Sequence, residues 1–320
     1  MAQPANTFDT YDSVGIREDL SNIIYDISPE ETPFYTKCAK STASNTFFEW
    51  QTQNLRNSTS DNQHIEGDNT TAQAVVPTVR LGAYTQIFKN AVVISDTDNA
   101  PSVDNAGRAR EMSYQTLLIA KEQKLDIESS LFANKGNVAG SNVLARQTGG
   151  VDSWLITNVD FNSAGGGANP TGDGTDARSD GTQRAFTQGQ FDEVMQETWV
   201  SGGKANTCYL SAFQMNAALS FVGNNNQRAN VSGESEKVIN SMAVYLTPWG
   251  SISFVPSREN RSRDVFIMQD DMWSVHVLRP TKNVELAKTG DSTMRQVVTE
   301  LGLCSKNEQA SGAVFDLTTS

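Results

Sequence analysis

The sequence predicts an α+β fold, in which one long helix and several short helices accompany strands at both ends of the chain. Apolar residues recur at three- and four-residue steps over residues 105–134, which is typical of a helix. Apolar and polar residues alternate near residues 46–88 and again between residues 252 and 317, which indicates strands.

Composition sets the limits within which a function must be sought. The 320 residues can bury a large core without metals or disulfides. The formal charge of −12, from 25 basic and 37 acidic residues, argues against a surface that holds nucleic acid by neutralising phosphates. The longest apolar runs fall far short of the roughly 20 residues that cross a bilayer, and the N-terminus has no signal-peptide pattern, so we expect a cytosolic protein without a membrane partner.

The first forty residues predict an arm that cannot fold alone. Between Ser13 and Ile27 the apolar residues form one stripe of a short helix, and isolated helices shorter than about 12 to 15 residues are marginal in water. In the stretch SPEETPFYTK, Ser28 and Pro29 predict a new helix start, and Pro33 is expected to end that turn. An apolar stripe without a nearby partner in the sequence is expected to pack elsewhere.

Two strands are predicted to flank a long polar segment. Residues 46–51 (TFFEWQ) predict the first strand and residues 75–88 the second, while the intervening residues are almost free of large apolar groups. A loop of this length is usually functional or disordered. We therefore expect a two-stranded arm that projects from the body.

The remaining elements follow in order. The stripe of the long helix combines Tyr114, Leu118, Leu125 and Phe132 with Leu117, Ile127 and Leu131 beside them. Six glycines and a proline in residues 162–183 predict a flexible surface loop. Further predicted elements are a helix marked by Phe191, Val194, Met195 and Thr198, a strand 206–210, a helix from a Ser211–Gln214 capping box to Val222, strands 252–255, 265–269 and 272–278, and more sheet in the alternation of Val297, Thr299, Leu301 and Leu303.

No pattern in the sequence predicts catalysis or a cofactor. His64 and His276 are the only histidines and neither has a Cys or His at ligand spacing, so we expect no metal site, and His276 suits a structural role in a strand better than a catalytic one. The stretch SGGKAN, residues 201–206, lacks the earlier glycine and the following Ser or Thr of a phosphate-binding loop and predicts a turn.

Three groups of polar or sulfur-bearing residues keep an alternative interpretation. Three loop aspartates could hold calcium, although solvated acids are the simpler interpretation. An arginine cluster suits a solvated loop better than a phosphate contact. The odd number of cysteines favours buried free thiols over disulfides. The loop aspartates are Asp173, Asp176 and Asp180. The arginine cluster consists of Arg258, Arg261 and Arg263, and the cysteines are Cys38, Cys208 and Cys304.

Two long stretches carry a family resemblance. NTFDTYDSVGIREDLSNIIYDISPEETPFYT, residues 6–36, and LAKTGDSTMRQVVTELGLCSKNEQASGAVFDL, residues 286–317, resemble the major capsid proteins of tailed bacteriophages with the Hong Kong 97-type fold. The similarity extends over nearly the whole chain. The family implies a subunit that self-assembles as hexamers and pentamers into an icosahedral shell around double-stranded DNA, with no enzymatic activity, assembled in the host bacterial cytoplasm.

The resemblance also implies a division of the chain. The expected parts are an N-terminal arm at 1–37, the start of a peripheral domain at 38–50 and an extended loop at 51–85. The peripheral domain continues at 86–150, where it contains a spine helix at 105–134. An axial domain follows at 151–262, and residues 263–320 complete the peripheral domain. The implied partners are other copies of the chain, portal and scaffolding proteins and a decoration protein. The side chains expected at intersubunit contacts are Ile16, Leu20, Ile23, Ile24, Ile27, Phe34, Tyr35, Trp50 and Tyr84.

Two departures and two rival functions accompany the resemblance. Some members cross-link through a lysine of the extended loop, yet residues 51–85 contain no lysine, so that chemistry is not expected. The chain begins directly at the arm, which implies a separate scaffolding protein or a removed prodomain. The rival functions are a cargo-enclosing compartment shell of the same fold and an enzyme with an unrecognised carboxylate site.

Overall fold

Four α-helices form within the residues that the computed structural model describes, which are 31–56, 58–69, 72–100, 110–221 and 244–319. The predicted helix at residues 13–27 lies outside these ranges. Among the described helices, none is long and apolar enough to cross a membrane. The helices are α1 (Pro33–Lys37), α2 (Glu111–Phe132), α3 (Gln188–Val200) and α4 (Ala212–Leu219).

Twelve strands accompany these helices in the same part of the chain. They form a four-stranded sheet, a six-stranded sheet and a separate two-stranded pair. In chain order they are β1 (Ala39–Thr42), β2 (Phe47–Thr52), β3 (Val79–Tyr84), β4 (Gln86–Ser95), β5 (Val159–Asp160), β6 (Thr207–Leu210), β7 (Val244–Thr247), β8 (Gly250–Pro256), β9 (Val265–Met268), β10 (Trp273–Glu285), β11 (Ser292–Ser305) and β12 (Gly312–Val314).

The four-stranded sheet has the order β1-β10-β11-β4 and carries α2 on one face. Gln123 of α2 is buried, and its Nε2 donates to the carbonyl oxygens of Phe88 and Val297 at 2.8 and 3.3 Å, which ties the helix to β4 and β11. The predicted strand is confirmed as part of β11, where Val297, Thr299, Leu301 and Leu303 are buried, although Glu300 and Gly302 between them are buried too. This sheet and α2 bury one side of the main core.

The predicted strand at residues 75–88 is wrong as a single element. Residues 75–78 are not in a strand, and the chain forms β3 and β4 on either side of Thr85. Thr85 is buried, its N–H donates to the Thr46 carbonyl at 2.9 Å and its hydroxyl donates to Glu300 at 2.8 Å. This anchor lets the chain change sheets, because β3 pairs with β2 whereas β4 pairs with β11.

The six-stranded sheet has the order β5-β12-β9-β6-β8-β7 and supports a second core under α3. The predicted helix is confirmed as α3, whose Phe191, Val194, Met195 and Thr198 are all buried. The sheet draws β5, β6, β7 and β8 from residues before 262 and β9 and β12 from residues after it. The proposed boundary at residue 262 therefore divides strands of one sheet in the chain, and the division itself stays a prediction.

The capping prediction at α4 is half right. The Ser211 side chain accepts from the Gln214 N–H, as predicted, at 3.5 Å. The Gln214 side chain does not return to the cap, because its Nε2 donates instead to the carbonyl oxygens of Ser262 and Thr318. The helix ends at Leu219, before the predicted Val222.

The long predicted helix forms over a shorter range. Helix α2 covers Glu111–Phe132, and residues 105–109 of the prediction lie outside the described ranges. Ile127, Leu131 and Phe132 of the predicted stripe are buried, but Leu117 is 55% exposed. Only the C-terminal third of this helix therefore belongs fully to the subunit core.

Candidate assembly surfaces

The segment after the predicted arm docks on the subunit's own core. Pro33 begins α1 and does not end a helix, because its fixed φ angle and missing N–H suit a first helical position. The Phe34 side chain is fully buried against Phe132 and Tyr209, with ring centroids 5.0 and 5.5 Å away. The prediction that Phe34 contacts a neighbouring subunit is therefore corrected, since no part of it is accessible.

A buried carboxylate holds this segment in place. Glu128 of α2 is 0% exposed and accepts the backbone N–H groups of Phe34 at 2.9 Å and Tyr35 at 2.7 Å. These are N–H groups of the first turn of α1, which have no partner within the helix. Glu128 therefore fixes the point at which the chain enters the described body.

Burial controls the ionisation of this carboxyl group. Burial raises the pKa of Glu128 to about 7, although the hydrogen bonds from Tyr35 and Phe34 and the charge of Lys40 act in the opposite direction. The neighbouring Cys38 thiol is also buried, and its pKa is raised for the same reason. The carboxyl group consequently changes charge near neutral pH.

The β2–β3 pair carries aromatic residues on both faces. Trp50 lies 5.4 Å from Trp154 between ring centroids, and Tyr84 lies 4.6 Å from Phe47, so both predicted contact residues are half-buried within the subunit. Beyond this pair, the described residues between 53 and 78 form no helix or strand and are exposed. Leu55, Ile65 and Val75 are 96%, 82% and 85% exposed, which leaves apolar side chains in solvent.

The glycine-rich loop is pinned to the body and does not behave as the free surface loop that its sequence predicts. The Arg178 guanidinium is buried, lies 3.6 Å above the Phe315 ring and donates to the Leu155 carbonyl at 2.9 Å. Gly174 has φ +78°, and a side chain there would meet Trp154. Many loop side chains are exposed, but these anchors fix its path.

Two arginines of the predicted cluster, Arg261 and Arg263, are paired with carboxylates instead of being solvated, whereas Arg258 is exposed as predicted. Arg261 contacts Asp152 and Asp264 at 3.0 and 2.9 Å, and Arg263 contacts Asp316 at 2.8 Å. Both arginines also reach Asp180 of the glycine-rich loop, at 2.5 and 3.3 Å. The cluster thus joins the loop to the six-stranded sheet.

Three of the four partner carboxylates of these arginines, those of Asp152, Asp264 and Asp316, are deeply buried. Burial raises the pKa of Asp152 to about 6, which the neighbouring Arg261 partly reverses. An arginine that pairs with such carboxylates has no free guanidinium face for phosphate. The described geometry therefore favours a structural role for Arg261 and Arg263.

The other candidates for chemistry have structural surroundings. Within the described ranges, no group of three His, Cys, Asp or Glu side chains could hold a metal ion. Asp173 and Asp176 accept hydrogen bonds from Thr171, and the three cysteines are free and buried. The His276 ring stacks on Phe48 with centroids 4.6 Å apart, and burial lowers its pKa.

Comparison with known families shows to which protein family the chain belongs. A family model described as SU10 major capsid protein matches residues 3–318, nearly the whole chain. The chain belongs to the SU10 major capsid protein family. This capsid protein is also 27% identical over 353 residues to the "Major capsid protein" of Escherichia phage Phieco32, with 98% of both sequences covered.

Solved structures place the capsid protein in the Hong Kong 97-type fold, as its sequence predicted. It matches the cyanophage A-1(L) capsid asymmetric unit with a TM-score of 0.69 and 13% identity, covering 98% of this chain and 99% of that chain. Phage G gp27 major capsid proteins and gp26 decoration proteins give a TM-score of 0.56 and 9% identity, with 99% and 100% covered. The holo-SrpI encapsulin of Synechococcus elongatus PCC 7942 gives a TM-score of 0.54 and 9% identity, with 93% of both chains covered.

The predicted contact residues of this capsid protein do not form one surface. Tyr35 lies on α1 with Lys40 Nζ 3.4 Å from its ring centroid, whereas Trp50 and Tyr84 lie on opposite faces of the β2–β3 pair. The five apolar residues between Ile16 and Ile27 lie outside the described ranges. Sequence reasoning missed the Glu128 contact and the Arg178 anchor, because neither residue type carries a local signal for a distant partner.

Proposed function

We propose that this capsid protein assembles as hexamers and pentamers into a closed shell around double-stranded DNA, in the cytoplasm of a bacterial host. The observation that carries the proposal is the family match across residues 3–318 together with the exposed apolar residues of the loop at 53–78. Leu55, Ile65 and Val75 are each more than 80% exposed, so their side chains are available for contacts with other chains. Neighbouring subunits are the occupants that a shell provides.

We assign the proposed parts as the sequence suggested them. Residues 1–37 would be the arm, 51–85 the extended loop and 151–262 the axial domain. Intersubunit contacts are proposed for the apolar residues of the arm and for Tyr35, Trp50 and Tyr84, with Phe34 removed from the set. Portal, scaffolding and decoration proteins are the further partners, and the family context supports a structural protein without enzymatic activity.

The charge of the chain suits this role. A net charge of −12 would repel packaged DNA instead of binding it tightly to the wall. Sequence-specific recognition of the DNA is not part of the proposal.

Electron microscopy of the purified protein tests the proposal. Closed icosahedral particles are expected, alone or after coexpression with a scaffolding protein. Discrete small oligomers with measurable turnover of a substrate would contradict it.

A compartment shell is the second candidate, because the encapsulin likeness covers 93% of the chain. Genes for a portal and a terminase beside this one would support the phage shell. A neighbouring gene for a cargo enzyme, with that enzyme found inside purified particles, would support the compartment.

A further inference from the structure

Two of the carboxyl groups that contact Arg261 form a buried acidic pair. Asp152 lies in a short 3₁₀ helix (Val151–Ser153), and Asp264 directly precedes β9. One Oδ2 oxygen of each lies next to the same nitrogen, Nη1 of Arg261, at 3.0 Å for Asp152 and 2.9 Å for Asp264. Both residues are at most 1% exposed. The two carboxyl groups are therefore close together and shielded from water.

Asp264 lacks the hydrogen-bond donors that a buried carboxylate needs. No described residue donates a hydrogen bond to either of its side-chain oxygens, and the same holds for Oδ1 of Asp152. Asn260 adds another buried acceptor without a described donor, since its Nδ2 donates to the carbonyl oxygens of Tyr209 and Asp264 while its Oδ1 accepts nothing. An ionised carboxylate without donors is costly to bury, and protonation turns one of its oxygens into a donor.

The charges around the pair do not balance when every carboxyl group is ionised. Asp180 of the glycine-rich loop contacts both Arg261 and Arg263. Asp316, which follows β12, contacts Arg263 at 2.8 Å. Three guanidinium groups thus face four carboxylates, and one bound proton removes the negative charge in excess. The charged groups that face one another here are Arg178, Arg261 and Arg263, and Asp152, Asp180, Asp264 and Asp316.

We propose that Asp264 and Asp152 share one proton in the folded subunit, and that this proton holds the glycine-rich loop (residues 162–183) on the six-stranded sheet. The O–H group of one carboxyl supplies the donor that the other lacks. Without the proton, the excess charge repels the carboxylate that water reaches most easily. That carboxylate belongs to Asp180, whose side chain is 33% exposed, whereas the other three are buried. The loop should therefore detach first at Asp180.

The ionisation of both groups agrees with a shared proton. Burial raises the pKa of Asp264 well above its usual value, and the negative charge of Asp152 acts in the same direction. Burial also raises the pKa of Asp152 to about 6, against the opposing charge of Arg261.

The raised pKa values fix the direction of the pH dependence. Stability that comes from the proton is fully present below the pKa of the opened or unfolded state, and it is lost as pH rises through the folded-state pKa. The contact between loop and sheet should therefore weaken as pH rises towards the folded-state pKa, and weaken no further above it.

Infrared spectroscopy of unassembled full-length subunits detects the proton, because protonated and ionised carboxyl groups absorb at different frequencies. The subunits carry Glu128→Gln, which removes another buried carboxyl group whose pKa is raised, in that case to about 7. The difference spectrum between these subunits and the same protein with Asp264→Asn should contain a protonated-carboxyl band at neutral pH, and this band should disappear on alkaline titration. A difference spectrum without that band would overturn the proposal.

Asp152→Asn tests whether the proton belongs to the pair. This change removes the neighbouring negative charge, so the Asp264 band should disappear at a lower pH than in subunits that keep Asp152. A titration unchanged by Asp152→Asn would show that Asp264 binds its proton alone and would overturn the sharing. Because this titration needs no substitution at residue 264, it decides the question even when Asp264→Asn does not fold.

Hydrogen exchange measured by mass spectrometry tests the hold on the loop. The reporters are the amides of Gly181, which donates to the Asp316 carboxylate, and of Thr182, which donates to the Gly165 carbonyl. Their exchange rate in the parent, divided by the rate in Asp264→Asn at the same pH, should rise about tenfold per pH unit up to the folded-state pKa and stay constant above it. The comparison at equal pH cancels the intrinsic pH dependence of exchange.

The matched control is Asp176→Asn, which removes a carboxylate from the same loop that contacts Thr171 and none of the three arginines. It should exchange like the parent at every pH. A parent-to-Asp264→Asn ratio that does not change with pH would show that the proton does not hold the loop. All these measurements use unassembled subunits, so their outcome is independent of the proposed shell.

Discussion

Glu128 joins two parts of the chain that lie 94 residues apart. The sequence places it next to the apolar stripe of a long helix, where a carboxylate looks like a polar flank. In the fold it is fully buried, and both of its oxygens accept backbone N–H groups. The residue therefore stabilises the entry of α1 into the body more than it solubilises α2.

Replacing Glu128 should weaken the subunit. Glu128→Ala leaves two buried N–H groups without an acceptor, so we expect a loss of about 2 to 4 kcal/mol in the free energy of unfolding. Glu128→Gln keeps one acceptor oxygen in the same shape and should lose less. Urea denaturation of unassembled subunits measures both, and an alanine variant as stable as the parent would contradict the contact.

The same residue predicts a pH dependence. Its folded-state pKa of about 7 lies above the unfolded value near 4.5, so the folded subunit binds the extra proton between these values. Stability from this group is fully present below about pH 4.5 and is lost as pH rises to about 7, by at most about 3 kcal/mol. The parent should therefore lose stability relative to Glu128→Gln over this window, and parallel pH profiles of the two proteins would contradict the assignment.

Single residues also show where sequence reasoning reaches its limit. Phe191, Val194 and Met195 were predicted correctly, because the spacing of apolar residues already indicates which side of a helix is buried. Arg261 and Phe34 were not, because their partners Asp152 and Glu128 lie about a hundred residues away. A polar residue's surroundings depend on the tertiary fold, which local spacing does not encode.

Among the elements, the loop at residues 162–183 departs most from its sequence prediction. Glycine content predicts conformational freedom, but Arg178 and Asp180 anchor the loop through partners on other elements. Its tolerance of change should therefore vary from one position to the next.

Insertions should separate the free and pinned parts of this loop. A short peptide after Gly166 should be tolerated better than one after Gly174, because a side chain at Gly166 would meet no atom within 4 Å. The same peptide after Gly174 should reduce soluble protein, since Trp154 and Asn137 crowd that position. Equal yields from both insertions would show that the contacts at Gly174 are dispensable.

The extended loop makes a prediction of its own. Residues 51–85 contain no lysine, so this segment cannot supply the side-chain amine of an isopeptide bond. Assembled particles should dissociate to monomers in hot detergent. A ladder of covalent multimers on a denaturing gel, in the absence of oxidant, would contradict this expectation.

For the whole molecule, most helices and strands could be predicted from the sequence, but which strands pair in which sheet could not. The alternation on β11 predicted a strand, yet the break at Thr85 and the pairing of β9 with β6 depend on long-range contacts. The assembly surfaces were predicted least well, because an apolar residue that packs in its own core and one that packs on a neighbour look alike in sequence.

Deleting the arm tests how the subunit and the shell depend on each other. Removal of residues 1–27 should leave the thermal unfolding of the unassembled subunit nearly unchanged and prevent stable shells. The apolar residues of the stripe should each contribute about 1.5 to 3 kcal/mol at the contact, before the cost of ordering the arm. Leu20→Asp with Ile23→Asp should have the same effect at full length, because two charges would enter an apolar contact.

Light scattering and microscopy at matched concentrations measure the outcome. Normal shells from the double variant would mean that the stripe is exposed in the particle. An unfolded subunit would mean that the stripe belongs to the subunit's own core.

The position of β12 has a consequence for biosynthesis. This strand lies between β5 and β9, and Phe315 and Leu317 that follow it are fully buried. The six-stranded sheet therefore cannot close until residue 317 has left the ribosome, about 15 seconds to a minute after synthesis began at bacterial rates. Nascent chains on one messenger RNA thus lack a finished sheet, which keeps subunits from joining a shell while they are still attached to ribosomes.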